Sequence, residues 1–376
     1  MKGHEAMKVL ISGGGTAGHI NPALAIAQEF RKEGDQILYV GTPNGMEADL
    51  VKRAGFDFEG VSVSGFYRSL SPSAMMHNFK AVYQAQAAKR KAKKIIKEFS
   101  PDVVIGTGGY VCGPIVLQAQ KMGIKTALHE QNAFPGMTNR MLAPKVDYLF
   151  LAVEEAKDRL PQGSKHTMVV GNPVRSQIID ADYIVAREKL GIVEDEFTVL
   201  SFGGSLGADT INKMAADLME WHKDKGEIRH IHGYGRLGKE KFPKLMEEKG
   251  IDLSKYPMIS ANEYIYNIQD AIAAADLMIC RCGALTLAEV QVLGKPSILV
   301  PSPNVTANHQ YHNGMVLVNH DAAVMIEEKD YDKETFLKTV ESFINDRDKC
   351  KAYGKNAKKL AILDTAARIC KALKED

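Results

Sequence analysis

Short apolar runs alternate along this chain with longer stretches of helical period. Residues 8–12, 36–40, 102–105, 126–129 and 148–151 read as strands, and segments such as 22–34 and 113–123 between them read as helices. Strand and helix in alternation predict a parallel sheet with helices on both faces. Gly171-Asn172-Pro173-Val174-Arg175 breaks the pattern, and a second alternation follows, with strands at 198–202, 228–232, 258–260, 277–280 and 297–300. After Pro301 a polar loop leads into a helix over 308–318; residues 329–373 read as helical and charged, interrupted near Gly354. The expected fold is α/β: two doubly wound, Rossmann-like domains facing each other across a cleft. Residues 1–172 form the first and 173–354 the second, and a helix at about 355–376 packs back onto the first.

Length and composition agree with this. A chain of 376 residues suits two domains, and 45% hydrophobic with 25% charged residues is the balance of a globular protein. No apolar run approaches the roughly 20 residues of a membrane span, and the first ten residues lack a signal-peptide core, so a cytoplasmic setting is expected. The five cysteines are scattered and odd in number, which fits reduced thiols; the one-residue gap of Cys280-Arg281-Cys282 is not zinc spacing. Net charge is only +2, but residues 1–172 hold 21 Lys and Arg against 15 Asp and Glu. The basic half is the better candidate for an anionic surface.

Three glycine-rich loops each follow a strand and open into a helix: Ser12-Gly13-Gly14-Gly15-Thr16-Ala17-Gly18-His19, Gly106-Thr107-Gly108-Gly109-Tyr110, and Phe202-Gly203-Gly204-Ser205-Leu206-Gly207. Such turns let backbone N–H groups approach an anion, and the helix amino end adds roughly half a positive charge. Phosphate is the expected ligand. The first loop satisfies the G-x-G-x-x-G dinucleotide pattern, which wants an acidic residue at the end of the second strand. That strand ends Tyr39-Val40-Gly41-Thr42, with no carboxylate until Glu47, so no nicotinamide or flavin cofactor is expected. His19 falls in the first turn of a helix, where the dipole favours a neutral imidazole that can serve as a general base, or simply caps and packs. His129-Glu130-Gln131-Asn132 ends the fourth strand, a usual place for ligand contacts. There Glu130 can orient a neighbour or act as a base, and Asn132 can bond a sugar hydroxyl. Between Cys282 and Glu289 a strand end passes into a helix: the N–H groups of Ala284 to Thr286 can meet a phosphate, and Glu289 can accept from a ribose diol or complement the helix dipole.

Together, Gly14-Gly15-Thr16-Ala17-Gly18-His19-Ile20-Asn21-Pro22, Gly108-Gly109-Tyr110 with Gly113-Pro114, His129-Glu130-Gln131-Asn132, Gly171-Asn172-Pro173-Val174-Arg175, Gly203-Gly204-Ser205-Leu206-Gly207-Ala208 and Arg281-Cys282-Gly283-Ala284-Leu285-Thr286 closely resemble the MurG family. These bacterial transferases move N-acetylglucosamine from UDP-GlcNAc onto undecaprenyl-pyrophosphoryl-MurNAc-pentapeptide, converting lipid I to lipid II in peptidoglycan synthesis. The resemblance implies a GT-B fold and an inverting, metal-independent transfer to the acceptor C4 hydroxyl, without a cofactor. It places Arg175 near the donor, Ser205 on the diphosphate, the Ile265 backbone on the uracil, and Ala284, Leu285, Thr286, Leu287, Ala288 and Glu289 around phosphate and ribose. Gln310 matches a glutamine that reaches the donor, and Thr16, Ala17, Gly18 and Asn132 match positions at the donor sugar. Gly14, Gly15, Gly108, Gly109 and Tyr110 match the acceptor pyrophosphate site. Catalysis falls to His19 and Glu130, with the base role undivided between them.

A lipid acceptor brings in a membrane. Ser71-Pro72-Ser73 reads as a helix start, followed by Met75, Met76, Phe79, Val82 and Tyr83 and then by Lys89-Arg90-Lys91-Ala92-Lys93-Lys94. This is either an ordinary packed helix with a solvated end or an interfacial site on anionic lipid. The resemblance favours the second, with peripheral attachment to the cytoplasmic face of the bacterial plasma membrane and other cell-wall synthesis proteins as partners; no nucleic acid is expected. Asp180-Ala181-Asp182 matches the D-x-D of metal-dependent transferases, yet lies in a helical stretch rather than at a strand end, and no metal is expected. Three other readings compete, one of them another GT-B glycosyltransferase acting on a lipid. A UDP-GlcNAc 2-epimerase uses the same architecture and sugar, and a non-enzymatic nucleotide-sugar sensor would bind the donor without a base.

Overall fold

A computed structural model describes residues 6–63 and 72–375, with side chains given outside 72–85. The chain divides into two compact units, Met1–Pro173 with Asp364–Asp376, and Val174–Leu363. The first is built on a seven-stranded parallel sheet of β1 (Lys8–Gly13), β2 (Gln36–Gly41), β3 (Asp57–Gly60), β4 (Val103–Gly108), β5 (Lys125–Glu130), β6 (Tyr148–Leu151) and β7 (His166–Val169). Its order is β3-β2-β1-β4-β5-β6-β7. The helices are α1 (Ala17–Lys32), α2 (Met46–Arg53), α3 (Pro72–Phe99), α4 (Cys112–Lys121) and α5 (Met137–Leu142). Central strands are buried on both faces, which is why β1 and β4 read as unbroken apolar runs. Leu10, Val104 and Leu128 pack toward Ala92, Ile96, Ile115 and Val116 of α3 and α4, while Val9, Ile11, Val103 and Ile105 pack toward Ile26 and Phe30 of α1.

The second unit carries α6 (Ser176–Ile179), α7 (Tyr183–Lys189), β8 (Phe197–Phe202), α8 (Asp209–His222), β9 (Ile228–Gly233), α9 (Lys241–Glu248), β10 (Ile259–Asn262), α10 (Ile268–Ala274) and β11 (Leu277–Cys280). It continues with α11 (Ala284–Leu293), β12 (Ser297–Leu299), α12 (His309–Val318), β13 (Ala323–Met325), α13 (Lys333–Ile344) and α14 (Arg347–Lys359). Its six-stranded sheet has the order β10-β9-β8-β11-β12-β13. The interruption expected near Gly354 is absent, and α14 runs straight through it. A Cβ at Gly354 would stand 2.3 Å from the Gly294 carbonyl oxygen, so glycine here lets α14 close on α11. The break falls instead between Ile344 and Arg347, where Asp346 caps α14 by accepting from the Lys349 N–H at 2.8 Å.

After Asp364 the chain rejoins the first unit as α15 (Thr365–Lys374). Ile369, Cys370 and Leu373 enter the core beneath α1. The Thr365 hydroxyl donates to the Val170 carbonyl at 2.6 Å, and the Lys374 amine lies 2.7 Å from Glu33 and 2.6 Å from Asp35.

A line of buried polar groups crosses the core of the second unit. His222 Nε2 is 3.2 Å from His230 Nδ1, and the Ser201 hydroxyl lies 2.8 Å from both His230 Nε2 and His232 Nδ1. All three rings are buried. Burial disfavours the charged form, so His222 is pulled down to about 4, His232 to about 3, and His230 well below the ordinary 6.5. Unfolded histidines titrate near 6.5, so between there and the folded values the unfolded chain binds more protons. The stability these rings leave intact above pH 6.5 is therefore lost as pH falls, by about 1.4 kcal/mol per histidine per pH unit. Trp221, the chain's one tryptophan, neighbours His222 and reports on this unit. Its fluorescence melting temperature is expected to drop steadily between about pH 7 and pH 5; a flat profile would contradict the histidine account.

Candidate active site

In each sheet the strand order reverses at one place, between β1 and β4 and between β8 and β11. Helices leave on opposite faces there, and a crevice opens at the carboxyl ends of the strands, the usual ligand site of open α/β sheets. The three glycine loops and the segment after β11 all follow these four strands.

In the first unit the loops after β1 and β4 touch backbone to backbone. The Gly14 N–H donates to the Gly108 carbonyl at 3.2 Å, and a Cβ on Gly109 would stand 2.2 Å from the Gly14 carbonyl oxygen. Gly108 and Gly109 also adopt φ of 111° and 84°, which L side chains rarely reach. His19, in the first turn of α1, lies against Gly108, where a Cβ would come within 2.8 Å of its ring. Its Nδ1 is 3.1 Å from the Gly14 carbonyl oxygen and 3.3 Å from the Thr16 hydroxyl. A carbonyl only accepts, so Nδ1 carries the hydrogen and Nε2 is the basic nitrogen. The Thr107 hydroxyl donates to the His19 carbonyl at 2.8 Å. Tyr39, held protonated by burial and by the charge of Glu47, donates to the Gly13 carbonyl at 2.8 Å. Gly14, Gly15, Thr16, His19, Gly108 and Gly109 thus form one constellation, with Thr16, Ala17, Gly18 and Tyr110 exposed around it. The first turn of α1 has neither an acidic residue nor a side-chain cap.

Glu130, a base candidate on sequence, has another task. Its carboxylate is buried, with Oε1 accepting from the Asn132 backbone N–H at 2.9 Å and side-chain amide at 3.1 Å. Oε2 accepts from the Gly136 N–H at 3.0 Å and the Asn139 amide at 2.9 Å. Four donors on two oxygens make it an organiser of the following loop rather than a proton acceptor. His129 is locked as well: Nε2 donates to the Gly171 carbonyl at 2.9 Å, and burial pulls its pKa to about 4. Of the segment His129-Glu130-Gln131-Asn132, only Asn132 is partly exposed.

In the second unit, a Cβ on Gly207 would stand 2.2 Å from the Tyr234 carbonyl oxygen, and the Ser205 carbonyl accepts from the Arg236 N–H at 3.2 Å. Ser205 is held at an exposed tip. Ile265 lies over Gly233, where a Cβ would be 3.2 Å from its Cδ1, beside the end of β9. The helix after the third loop starts only at Asp209, whose carboxylate pairs with Lys241 at 2.7 Å, so that amino end already holds an anion. The end of α11 has no acidic residue in its first turn and no side-chain cap. Ala284, Leu285 and Thr286 are partly exposed there. Leu287 and Ala288 are buried, and the Leu287 N–H already donates to the Gly283 carbonyl at 3.0 Å; these two pack the core instead of meeting a ligand. Glu289 lies in the second turn and accepts from Arg175 at 3.0 Å; burial raises its pKa and Arg175 opposes that rise. Gln310 accepts from the Ser302 N–H at 2.9 Å and so holds the loop after β12. Asp182 caps α7, accepting from the Val185 N–H at 3.0 Å, which accounts for half of the D-x-D match.

Met75, Met76, Phe79, Val82 and Tyr83 lie outside the residues whose side chains are described; the backbone of α3 covers them. One residue that sequence reasoning passed over belongs to the first constellation. Glu47 is fully buried and accepts from the Gly15 N–H at 3.3 Å. A glutamate set among Gly41, Gly45 and the Gly13-Gly14-Gly15 run is the signal that could have found it.

Residues 9–150 match the glycosyltransferase family 28 N-terminal domain and residues 198–369 its C-terminal domain. Over 371 residues the chain is 44% identical to a UDP-N-acetylglucosamine–N-acetylmuramyl-(pentapeptide) pyrophosphoryl-undecaprenol N-acetylglucosamine transferase of Acetivibrio thermocellus, covering 98% of each chain. It is 41% identical to the transferase of that name from Desulforamulus reducens, again over 98% of each. The crystal structure of MurG from Acinetobacter baumannii superposes with a TM-score of 0.80 at 25% identity, covering 98% of this chain and all of that one. The chain belongs to the MurG family of N-acetylglucosamine transferases.

Proposed function

We propose that this enzyme transfers N-acetylglucosamine from UDP-GlcNAc to the C4 hydroxyl of undecaprenyl-pyrophosphoryl-MurNAc-pentapeptide, inverting the anomeric centre without a metal. Full-length similarity to transferases named for this reaction supports the substrates. The assignment of roles rests on one observation, the 3.1 Å contact of His19 Nδ1 with the Gly14 carbonyl oxygen, which assigns the hydrogen to Nδ1. The acceptor oxygen attacks donor C1 as the C1–O bond to UDP breaks; His19 Nε2 takes the hydroxyl proton, and the diphosphate leaves with the bonding pair. The amino end of α11 and the Arg175 guanidinium meet the charge that develops on that diphosphate. Glu289 accepts from the ribose hydroxyls, Ser205 and the Ile265 backbone hold diphosphate and uracil, and Gln310 keeps its loop in place. In the first unit, Thr16, Ala17, Gly18 and Asn132 line the donor sugar, and Gly14, Gly15, Gly108, Gly109 and Tyr110 receive the acceptor pyrophosphate. Glu130 acts by holding Asn132.

The acceptor is lipid-borne, so the first unit works at the cytoplasmic face of the plasma membrane, with the amino-terminal half of α3 as its contact. Among the described residues no helix is long and apolar enough to cross a membrane. The contact through α3 is a peripheral one.

With radiolabelled UDP-GlcNAc and a lipid I analogue, label is expected in the lipid, with or without EDTA. Label in UDP-ManNAc, or an EDTA loss restored by Mg²⁺, would overturn the reading. His19→Ala is expected to lower kcat by about 10² to 10⁴ while UDP-GlcNAc affinity stays unchanged; near-normal turnover would remove the base assignment. Exchanging Met75, Met76 and Phe79 for polar residues should weaken sedimentation with anionic vesicles and spare UDP-GlcNAc binding. Unchanged sedimentation would rule out this contact.

A further inference from the structure

The mechanism leaves Glu47 without a part, although it is fully buried at the start of α2. Oε1 accepts from the Thr42 N–H at 2.9 Å and from the Thr42 hydroxyl, and Oε2 accepts from the Gly15 N–H at 3.3 Å. Three glycines shape its niche: a Cβ would stand 2.4 Å from its Oε1 at Gly14, 2.5 Å from its Cγ at Gly41 and 2.5 Å from its Oε2 at Gly45. A carboxylate out of water is costly unless donors surround it, and here one of the donors is a loop peptide.

That peptide is the link. The N–H that Glu47 accepts from and the carbonyl that accepts from His19 Nδ1 belong to the same unit, the bond between Gly14 and Gly15. A trans peptide is planar, so its N–H and C=O point opposite ways. Fixing the N–H on Glu47 therefore fixes the carbonyl on His19. Glycine on both sides, with Gly15 at φ 83°, leaves the plane little steric resistance to turning over, and a turned plane would offer His19 an N–H in place of a carbonyl. Hydrogen bonds in series also polarise one another.

We propose that Glu47 is a positioning residue for His19, acting through the Gly14–Gly15 peptide to hold the hydrogen on Nδ1 and the basic lone pair on Nε2. The proposal rests on the reading of His19 as the base. Thr42 and the amino end of α2 keep Glu47 in place, and the Gly14 N–H bond to Gly108 ties the same loop to its neighbour.

The test is ¹⁵N NMR of imidazole-labelled, unliganded protein, with the His19 signals assigned through His19→Gln, alongside steady-state transfer kinetics. In the parent protein Nδ1 is expected at a protonated shift and Nε2 at an unprotonated one. Glu47→Gln sets an NH₂ group against one of the N–H donors. It should move both signals toward an averaged tautomer and lower kcat about 10- to 100-fold with KM for UDP-GlcNAc unchanged. Glu47→Asp, one methylene shorter, reaches Thr42 but not Gly15, and should show the same shift in a protein that melts near the parent temperature. Parent-like His19 signals and kcat in a folded Glu47→Gln or Glu47→Asp would overturn the proposal. Because the spectra need no substrate, a parent protein that fails to transfer sugar yet shows the tautomer change would sink the proposed reaction and leave the coupling standing.

Discussion

Close approach of bare backbone is the constraint from which the site follows. Gly109 lies where any side chain would enter the Gly14 carbonyl, and Gly207 lies where one would enter the Tyr234 carbonyl. With those glycines, the loops of neighbouring strands bond directly to each other, and the first turn of α1 swings His19 over the second loop. A methyl group at either position would force apart the ends of the two strands it lies between, and at Gly109 it would disturb the loop against which the imidazole rests. Glycine is usually credited with flexibility; its contribution here is the absence of volume, and the result is a pair of loops bonded directly to each other.

Buried carboxylates set the polarity of these loops. Glu47 and Glu130 are both nearly inaccessible, one shortly after β2 and the other at the end of β5, and both spend their oxygens on N–H groups of turns that lead to exposed positions. Glu289 differs: partly exposed and paired with Arg175, it can exchange that partner for another donor. Helix ends sort in the same way. The starts of α1 and α11 carry no acidic side chain, whereas α8 begins with Asp209. The third glycine loop consequently offers an anion its turn amides and Ser205 more than a helix dipole.

Ten strands are legible, nine of them flanked on both sides in their sheets and most of those mainly apolar, as in the Val-Leu-Ile run of β1; the tenth, β10, is an edge strand. β3 and β7 lie at sheet edges, and their Asp57, Glu59 and His166 erase that signal. β13, also an edge, is three residues long. Sequence spacing places the glycine loops and Asn132 just beyond strand ends and His19 in the first turn of a helix, where the structure has them. It could not tell an acceptor from an organiser: Glu130 looked reactive because nothing in its neighbours' names reveals four converging N–H groups. Leu287 and Ala288 follow the same logic, for an apolar residue in a motif faces the core unless its backbone is at the helix end. Gly354 was misread because helix breaking and tight packing call for the same residue.

The contribution of α15 to the first unit has a consequence for biogenesis. Ile369, Cys370 and Leu373 fill the core under α1, and Lys374 pairs with Glu33 and Asp35, so the amino-terminal sheet stays open on that side until residues 365–374 are made. The second unit, contained within one stretch of chain, can finish folding earlier. On the ribosome the order of completion therefore runs against the order of synthesis: the half that emerges first closes last, because α15 follows the whole of the second unit in the chain.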